Sequence, residues 1–106
     1  MVRQEPMTKK PPLFNKRDDG CWVCQNPNVE EHHIFFGTGR RKISDVEGCV
    51  IYLCNRHHQD PQFGIHFDKD FDLAIKRQCQ RLWEEREGID EPNHDTFIKR
   101  FYRSYL

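Results

Sequence analysis

Two short knuckles of metal-binding residues, Cys21-Trp22-Val23-Cys24 and Cys54-Asn55-Arg56-His57, constrain this chain more than anything else in it. Paired C-x-x-[CH] spacings of this kind can close a tetrahedral zinc site of three thiolates and one imidazole. A staple is needed here: with 106 residues, 36% apolar and 32% charged, the chain makes one domain with a small core. Structural zinc supplies folding free energy directly, roughly 10 kcal/mol or more. Five cysteines could instead form disulfides. The odd count, the tight spacing and the lack of a signal-peptide pattern or long apolar run point to thiols in a reducing cytoplasm. Cys49 and Cys79 lie outside both knuckles and read as small buried apolar residues.

Between Cys24 and Cys54 lie 29 residues, more than the roughly 15–20 of a simple zinc ribbon. The surplus is about the length of a hairpin with a loop, and His32-His33 opens it. Folding one knuckle onto the other therefore brings this histidine pair close to His58. His57 is taken as the fourth zinc ligand, with His58 the alternative. Either way, the chain holds more histidines than one structural site uses.

Local patterns organise the rest. Residues 1–19, with Pro6, Pro11 and Pro12 among charged residues, read as a flexible leader, with Met7 a second usable start. Residues 20–106 form the folded domain, with knuckles and hairpin over 20–66 and helices over 67–106. His33-Ile34-Phe35-Phe36 and residues 48–53 are the two strand candidates, joined by a basic loop. A turn or short helix follows over 56–60. Phe67, Phe71, Ile75, Cys79, Leu82 and Trp83 recur at spacings of three and four, which predicts a helix ending by Gly88. A solvated acidic stretch leads to a last helix capped by Asp95, with Phe97, Ile98, Phe101, Tyr102 and Tyr105 on its apolar face.

Seventeen basic residues balance seventeen acidic ones. A whole-molecule attraction to DNA is thereby excluded, so any nucleic-acid contact is local, and Arg40-Arg41-Lys42 is the obvious place for it. No apolar run is long enough for a membrane span.

Glu31-His32-His33-Ile34, followed by Leu53-Cys54-Asn55-Arg56-His57-His58, resembles the HNH endonuclease superfamily with its zinc-bearing ββα-metal fold. The runs His32 to Gly37, Gly39 to Asp45, Tyr52 to His58 and Gly64-Ile65-His66 are closest to the small HNH proteins of phages and prophages, recombination-enhancing nucleases among them. The resemblance covers about residues 20–88. It implies an α+β fold: a zinc-stapled ββα-metal core with C-terminal helices. It also implies a structural zinc on Cys21, Cys24, Cys54 and His57, a general base at His33, and a catalytic divalent metal on His32 and His58, with His66 a further ligand. An imidazole base suits hydrolysis near neutral pH. A nitrogen-rich ligand set favours Mn²⁺, Ni²⁺, Co²⁺ or Zn²⁺ over Mg²⁺, and Asp60 could supply an oxygen. Arg40, Arg41, Lys42 and Ser44 would contact DNA phosphates.

Two departures stand out. The family's middle Asn should precede Leu-Cys by about four residues, where this chain has Gly48 and Cys49; His33 then needs another partner, such as a backbone carbonyl. Adjacent strand residues also point to opposite faces, so a kink is expected if His32 and His33 are to serve one site. The expected function is a metal-dependent DNA endonuclease of phage or mobile-element origin, working with a host or phage recombination or packaging protein. The alternatives are a zinc-stapled DNA-binding or adaptor module without turnover, and a purely structural protein-interaction partner.

Overall fold

A computed structural model describes residues 9–106; Met7, the alternative start, lies outside the described residues. It is a small α+β structure built on a two-stranded antiparallel sheet. Strand β1 (Glu30–His33) leads into helix α1 (Arg40–Glu47), then strand β2 (Val50–Leu53) and the short helix α2 (Asn55–His58). Helices α3 (Lys69–Arg86) and α4 (Asp95–Phe101) complete the chain. The strands pair Glu30 with Leu53, Glu31 with Tyr52, His32 with Ile51 and His33 with Val50. No helix among the described residues is long and apolar enough to cross a membrane.

The first strand ends three residues earlier than the sequence pattern predicts, and its register contains no bulge. The apolar residues that follow leave the strand: Ile34 and Phe35 are buried, while Phe36 is 44% exposed. The connection to β2 is not a basic loop but α1, closed by Gly48 in the left-handed region (φ 77°). Glycine is required there, because a Cβ would lie 2.1 Å from the Pro11 carbonyl oxygen.

That close approach reflects a second departure. Residues 9–19 are not a free leader but lie along the hairpin. The Lys10 and Leu13 amides donate to the carbonyls of Val46 and Gly48. Asn15 is buried and brackets Tyr52, its Oδ1 accepting from the Tyr52 amide at 2.9 Å and its Nδ2 donating to the Tyr52 carbonyl at 3.0 Å. The side-chain amide thus serves the outer edge of β2 as a neighbouring strand would, which satisfies groups an exposed edge would leave unpaired.

Asp68 caps α3 by accepting from the Phe71 amide at 3.0 Å. From there Ile75, Cys79 and Trp83 present one buried stripe. Phe67 does not join it: its amide bonds back to Gly64 in the preceding turn, and the ring is 62% exposed. Helix α4 starts one residue earlier than expected, with Asp95 as its first residue and His94 at the cap, and buries Phe97 and Phe101. It ends at Phe101 with Tyr102 at the C-cap; Tyr102 and Ile98 lie off the buried stripe and face solvent. Phe35 collects the aromatic core, with ring centroids of Phe101, Tyr105 and Phe97 at 4.8, 5.1 and 5.5 Å. Cys49 and Cys79 are fully buried in that core.

One buried carboxylate joins the N-terminal arm, α1, α3 and α4. Glu47 accepts from Lys10 at 2.7 Å, Trp83 Nε1 at 2.9 Å and Arg100 at 2.8 Å. Burial alone would raise its carboxyl, but these donors outweigh burial and hold it at about 2. A depressed folded value contributes stability above the unfolded value near 4.5, and that contribution is lost as pH falls from there toward about 2. The full shift corresponds to about 3 kcal/mol. Lys10 and Arg100 are 39% and 38% exposed, so solvent screening should reduce the measured term to about 1–2 kcal/mol. Glu47→Gln is expected to lower the midpoint of urea unfolding at neutral pH and to flatten its dependence on acid. An unchanged acid limb would show that Glu47 does not link folding to protons.

Candidate metal centres and the histidine pocket

The two knuckles converge as their spacing predicts. Cys21 is buried, held by its amide on the Asn26 carbonyl, while Cys54 ends β2 and caps α2. The α2 turn then swings His57 back over the thiols. Cys24 Sγ lies 3.7 Å from Cys54 Sγ, and His57 Nδ1 lies 3.5 Å from Cys21 Sγ and 3.2 Å from Cys54 Sγ. Ligand atoms around a tetrahedral zinc, with bonds of about 2.0–2.3 Å, are about 3.4–3.8 Å apart. The Cys21, Cys24, Cys54, His57 cluster can therefore hold a metal ion such as zinc. The fit is also electrostatic. Burial opposes ionisation of Cys21, but the Cys54, Cys24 and Val23 amides and the His57 ring outweigh it and bring the thiol to about 6. Cys54 is instead raised, by burial and by the neighbouring sulfurs. Several thiolates this close need a cation to coexist.

A second cluster stands on the adjoining face of the hairpin. Strand alternation places Glu30 and His32 on one side of β1 and Glu31 and His33 on the other. His32 meets His58, from the end of α2, and His66, whose amide bonds to the His58 carbonyl at 3.3 Å. Their ring centroids are 4.7–5.1 Å apart, and one nitrogen from each ring lies within 4.8 Å of the others. Asp60, the possible oxygen donor, is occupied elsewhere, accepting from the Gln62 and Phe63 amides in the following turn.

Three features suit this trio to a divalent cation. His32 is 2% exposed, and its Nε2 has no hydrogen-bond partner, a situation that costs about 1–3 kcal/mol unless something fills it. Burial, followed by the charges of His58, His66, His33 and Lys76, pushes His32 down to about 3; it is neutral at pH 7 and offers a lone pair. Finally, His58 Nδ1 lies 2.7 Å from the Glu30 carboxylate and its Nε2 lies 2.9 Å from His66 Nε2. A proton held on Nδ1 by Glu30 leaves Nε2 as the donor, the usual carboxylate–histidine–metal arrangement. Ligands about 2.1 Å from one ion are separated by about 3.0–3.4 Å.

His33 sits apart from these three imidazoles, but the absence of a kink does not separate it from them. A cavity of about 270 Å³ is lined by His32, His58 and His66 together with His33, Glu31 and Arg41. His33 Nε2 lies 3.3 Å from Glu31 Oε1 and 3.5 Å from Asp45 Oδ1. The groups nearest His33 Nε2 are thus two carboxylates at ion-pair distance, and Glu31, His33 and Asp45 are themselves a third group that could hold a metal ion. Sequence reasoning missed Glu30, Glu31 and Asp45. The alternation that separates His32 from His33 also predicts where the two glutamates go, so that part was readable; Asp45 depended on the unforeseen α1.

The basic cluster is divided. Arg41 and Lys42 are exposed on the first turn of α1, beside His33. Arg40 is partly buried, its guanidinium 5.6 Å from the Tyr102 ring centre. Ser44 is fully buried and turned inward, so it is not available to a phosphate; its position on the core face of α1 decides this.

No protein-family model matches the chain, and no curated protein or solved structure matches it either.

Proposed function

We propose that this chain is a metal-dependent DNA endonuclease of the HNH type, hydrolysing phosphodiester bonds in one cavity of the hairpin. The observation that carries this reading is the division of labour around that cavity. Three imidazoles suited to a cation line it, and a fourth histidine, grouped instead with Glu31 and Asp45, lines the same space beside an exposed arginine. A structural metal site uses all of its donors; a hydrolytic site needs a separate base.

The roles follow from chemistry. His33 would accept the proton of the attacking water on a ring nitrogen. Arg41 would hold a phosphate oxygen at the cavity mouth, and Lys42 the neighbouring phosphate, in a molecule without net charge to contribute. Glu30 keeps the His58 lone pair directed inward. A divalent ion on His32, His58 and His66 would polarise the phosphoryl oxygen and stabilise the departing 3′ oxygen. The all-nitrogen donor set favours Mn²⁺, Co²⁺, Ni²⁺ or Zn²⁺ over Mg²⁺.

The test is cleavage of plasmid and single-stranded DNA by zinc-loaded protein, across a panel of these five ions. Cleavage that rises with a second, exchangeable equivalent of metal is expected. His58→Ala should lose that equivalent and at least about a hundredfold in rate, while keeping the first equivalent. A folded, fully loaded protein that cuts neither DNA with any ion would overturn the reading.

A further inference from the structure

We infer that Asp45, working with Glu31, positions His33 by fixing its proton on Nε2, and that the Ser44–Phe35 contact holds Asp45 at the distance this requires. The inference rests on the nuclease reading for its catalytic consequence but not for its geometry. His33 Nε2 faces two carboxylate oxygens, Glu31 Oε1 at 3.3 Å and Asp45 Oδ1 at 3.5 Å. Neither contact has hydrogen-bond direction, but both place negative charge beside Nε2, which favours a proton on that nitrogen over a lone pair there. The carboxylates therefore select the Nε2–H tautomer and leave the basic lone pair on Nδ1.

Each carboxylate is itself held by its other oxygen. Tyr52, directly across the strand pair from Glu31, donates its hydroxyl to Glu31 Oε2 at 3.0 Å. Lys9, on the N-terminal arm, pairs with Asp45 Oδ2 at 2.8 Å. The helix bearing Asp45 is pinned by the residue before it. Buried Ser44 donates Oγ–H to the Phe35 carbonyl at 2.7 Å and accepts the Phe35 amide at 3.0 Å. Phe35 lies two residues beyond His33, so this reciprocal pair locks α1 to the end of β1 where the base sits. Two successive residues of α1 thus perform a task for which the resemblance supplies an asparagine at a position this chain leaves to Gly48 and Cys49.

Asp45→Asn keeps the shape and removes the charge; Glu31→Gln does the same across the ring. In zinc-loaded full-length protein at alkaline pH, the nitrogen-15 shifts of His33 are expected to show Nδ1 unprotonated. The double variant should move the proton toward Nδ1. In the cleavage assay, Asp45→Asn should lower kcat about tenfold and the double variant about a hundredfold, with KM and both metal equivalents unchanged. Ser44→Ala should lower kcat in the same direction, while Ser44→Thr, which retains the hydroxyl, should recover it. Nδ1–H in the parent protein would overturn the inference whether or not the protein cleaves DNA. Loss of a metal equivalent in Asp45→Asn would overturn it too, because Glu31, His33 and Asp45 would then be ligands. An Nε2–H parent that fails to cleave leaves the positioning intact and removes the nuclease reading instead.

Discussion

With zinc on Cys21, Cys24, Cys54 and His57, a cluster that could hold it, a strong chelator is expected to unfold the whole protein, not to loosen one loop. The cluster of Cys21, Cys24, Cys54 and His57 joins the knuckle after the N-terminal arm to the end of β2 and the start of α2. Without an ion, three sulfurs and an imidazole nitrogen are packed at 3.2–3.7 Å with no charge to balance their ionisation. What remains is a sheet of two four-residue strands, and a lone hairpin is marginal in water. Zinc binding in small domains contributes roughly 10 kcal/mol or more, comparable to the entire stability of a domain this size. Cys54→Ser should therefore have little folded population at ambient temperature. Circular dichroism during chelation, with released zinc and reactive thiols counted in parallel, makes the measurement. One zinc should leave as helix signal and cooperative melting disappear together. A chelated protein that still melts cooperatively would mean that the aromatic core around Phe35, Phe97 and Phe101 holds the fold by itself.

The residues most legible in the sequence are those whose chemistry restricts them to one use. Thiols at C-x-x-C spacing and histidines in excess led to the two clusters, and the interval between Cys24 and Cys54 placed them side by side. The apolar stripe of α3 was equally plain, because burial of Ile75, Cys79 and Trp83 follows from helical period alone. The misreadings occurred where local sequence and tertiary contact disagree. Arg40-Arg41-Lys42 next to Gly37 and Gly39 reads as a loop, yet residues 40–47 form a helix because Ser44 and Glu47 find partners on Phe35 just beyond β1, on α3 and on α4. Residues 9–19, rich in proline and charge, have no periodicity of their own. Their order comes from the edge of β2, which Asn15 pairs. Neither contact leaves a pattern in the short stretch of chain where it begins.

On the proposed nuclease reading, His33→Ala should cut cleavage sharply without disturbing the Cys21, Cys24, Cys54, His57 cluster, the His32, His58, His66 cluster or the fold. The ring is on the face of β1 opposite His32 and contributes no nitrogen to the three-imidazole cluster, being grouped instead with Glu31 and Asp45; on the nuclease reading its loss removes the proposed base and leaves the three imidazoles intact. It is a strand-end residue with a 14% exposed side chain, and truncation opens the cavity toward water instead of leaving a sealed void, which keeps the stability cost small. General-base catalysis is generally worth about 10²–10⁴ in rate, and a loss of that size in kcat is expected with both metal equivalents retained. DNA affinity should persist, because Arg41 and Lys42 remain exposed on α1. That combination separates an enzyme from a zinc-stapled binding module: a module would hold DNA, carry one metal per chain and be indifferent to the substitution. If the variant instead cleaves as fast as its parent, the proton is taken by another group and His33 is not the base. If cleavage and the second metal disappear together, His33 belongs among the ligands and the division of the cavity into base and metal sides is wrong.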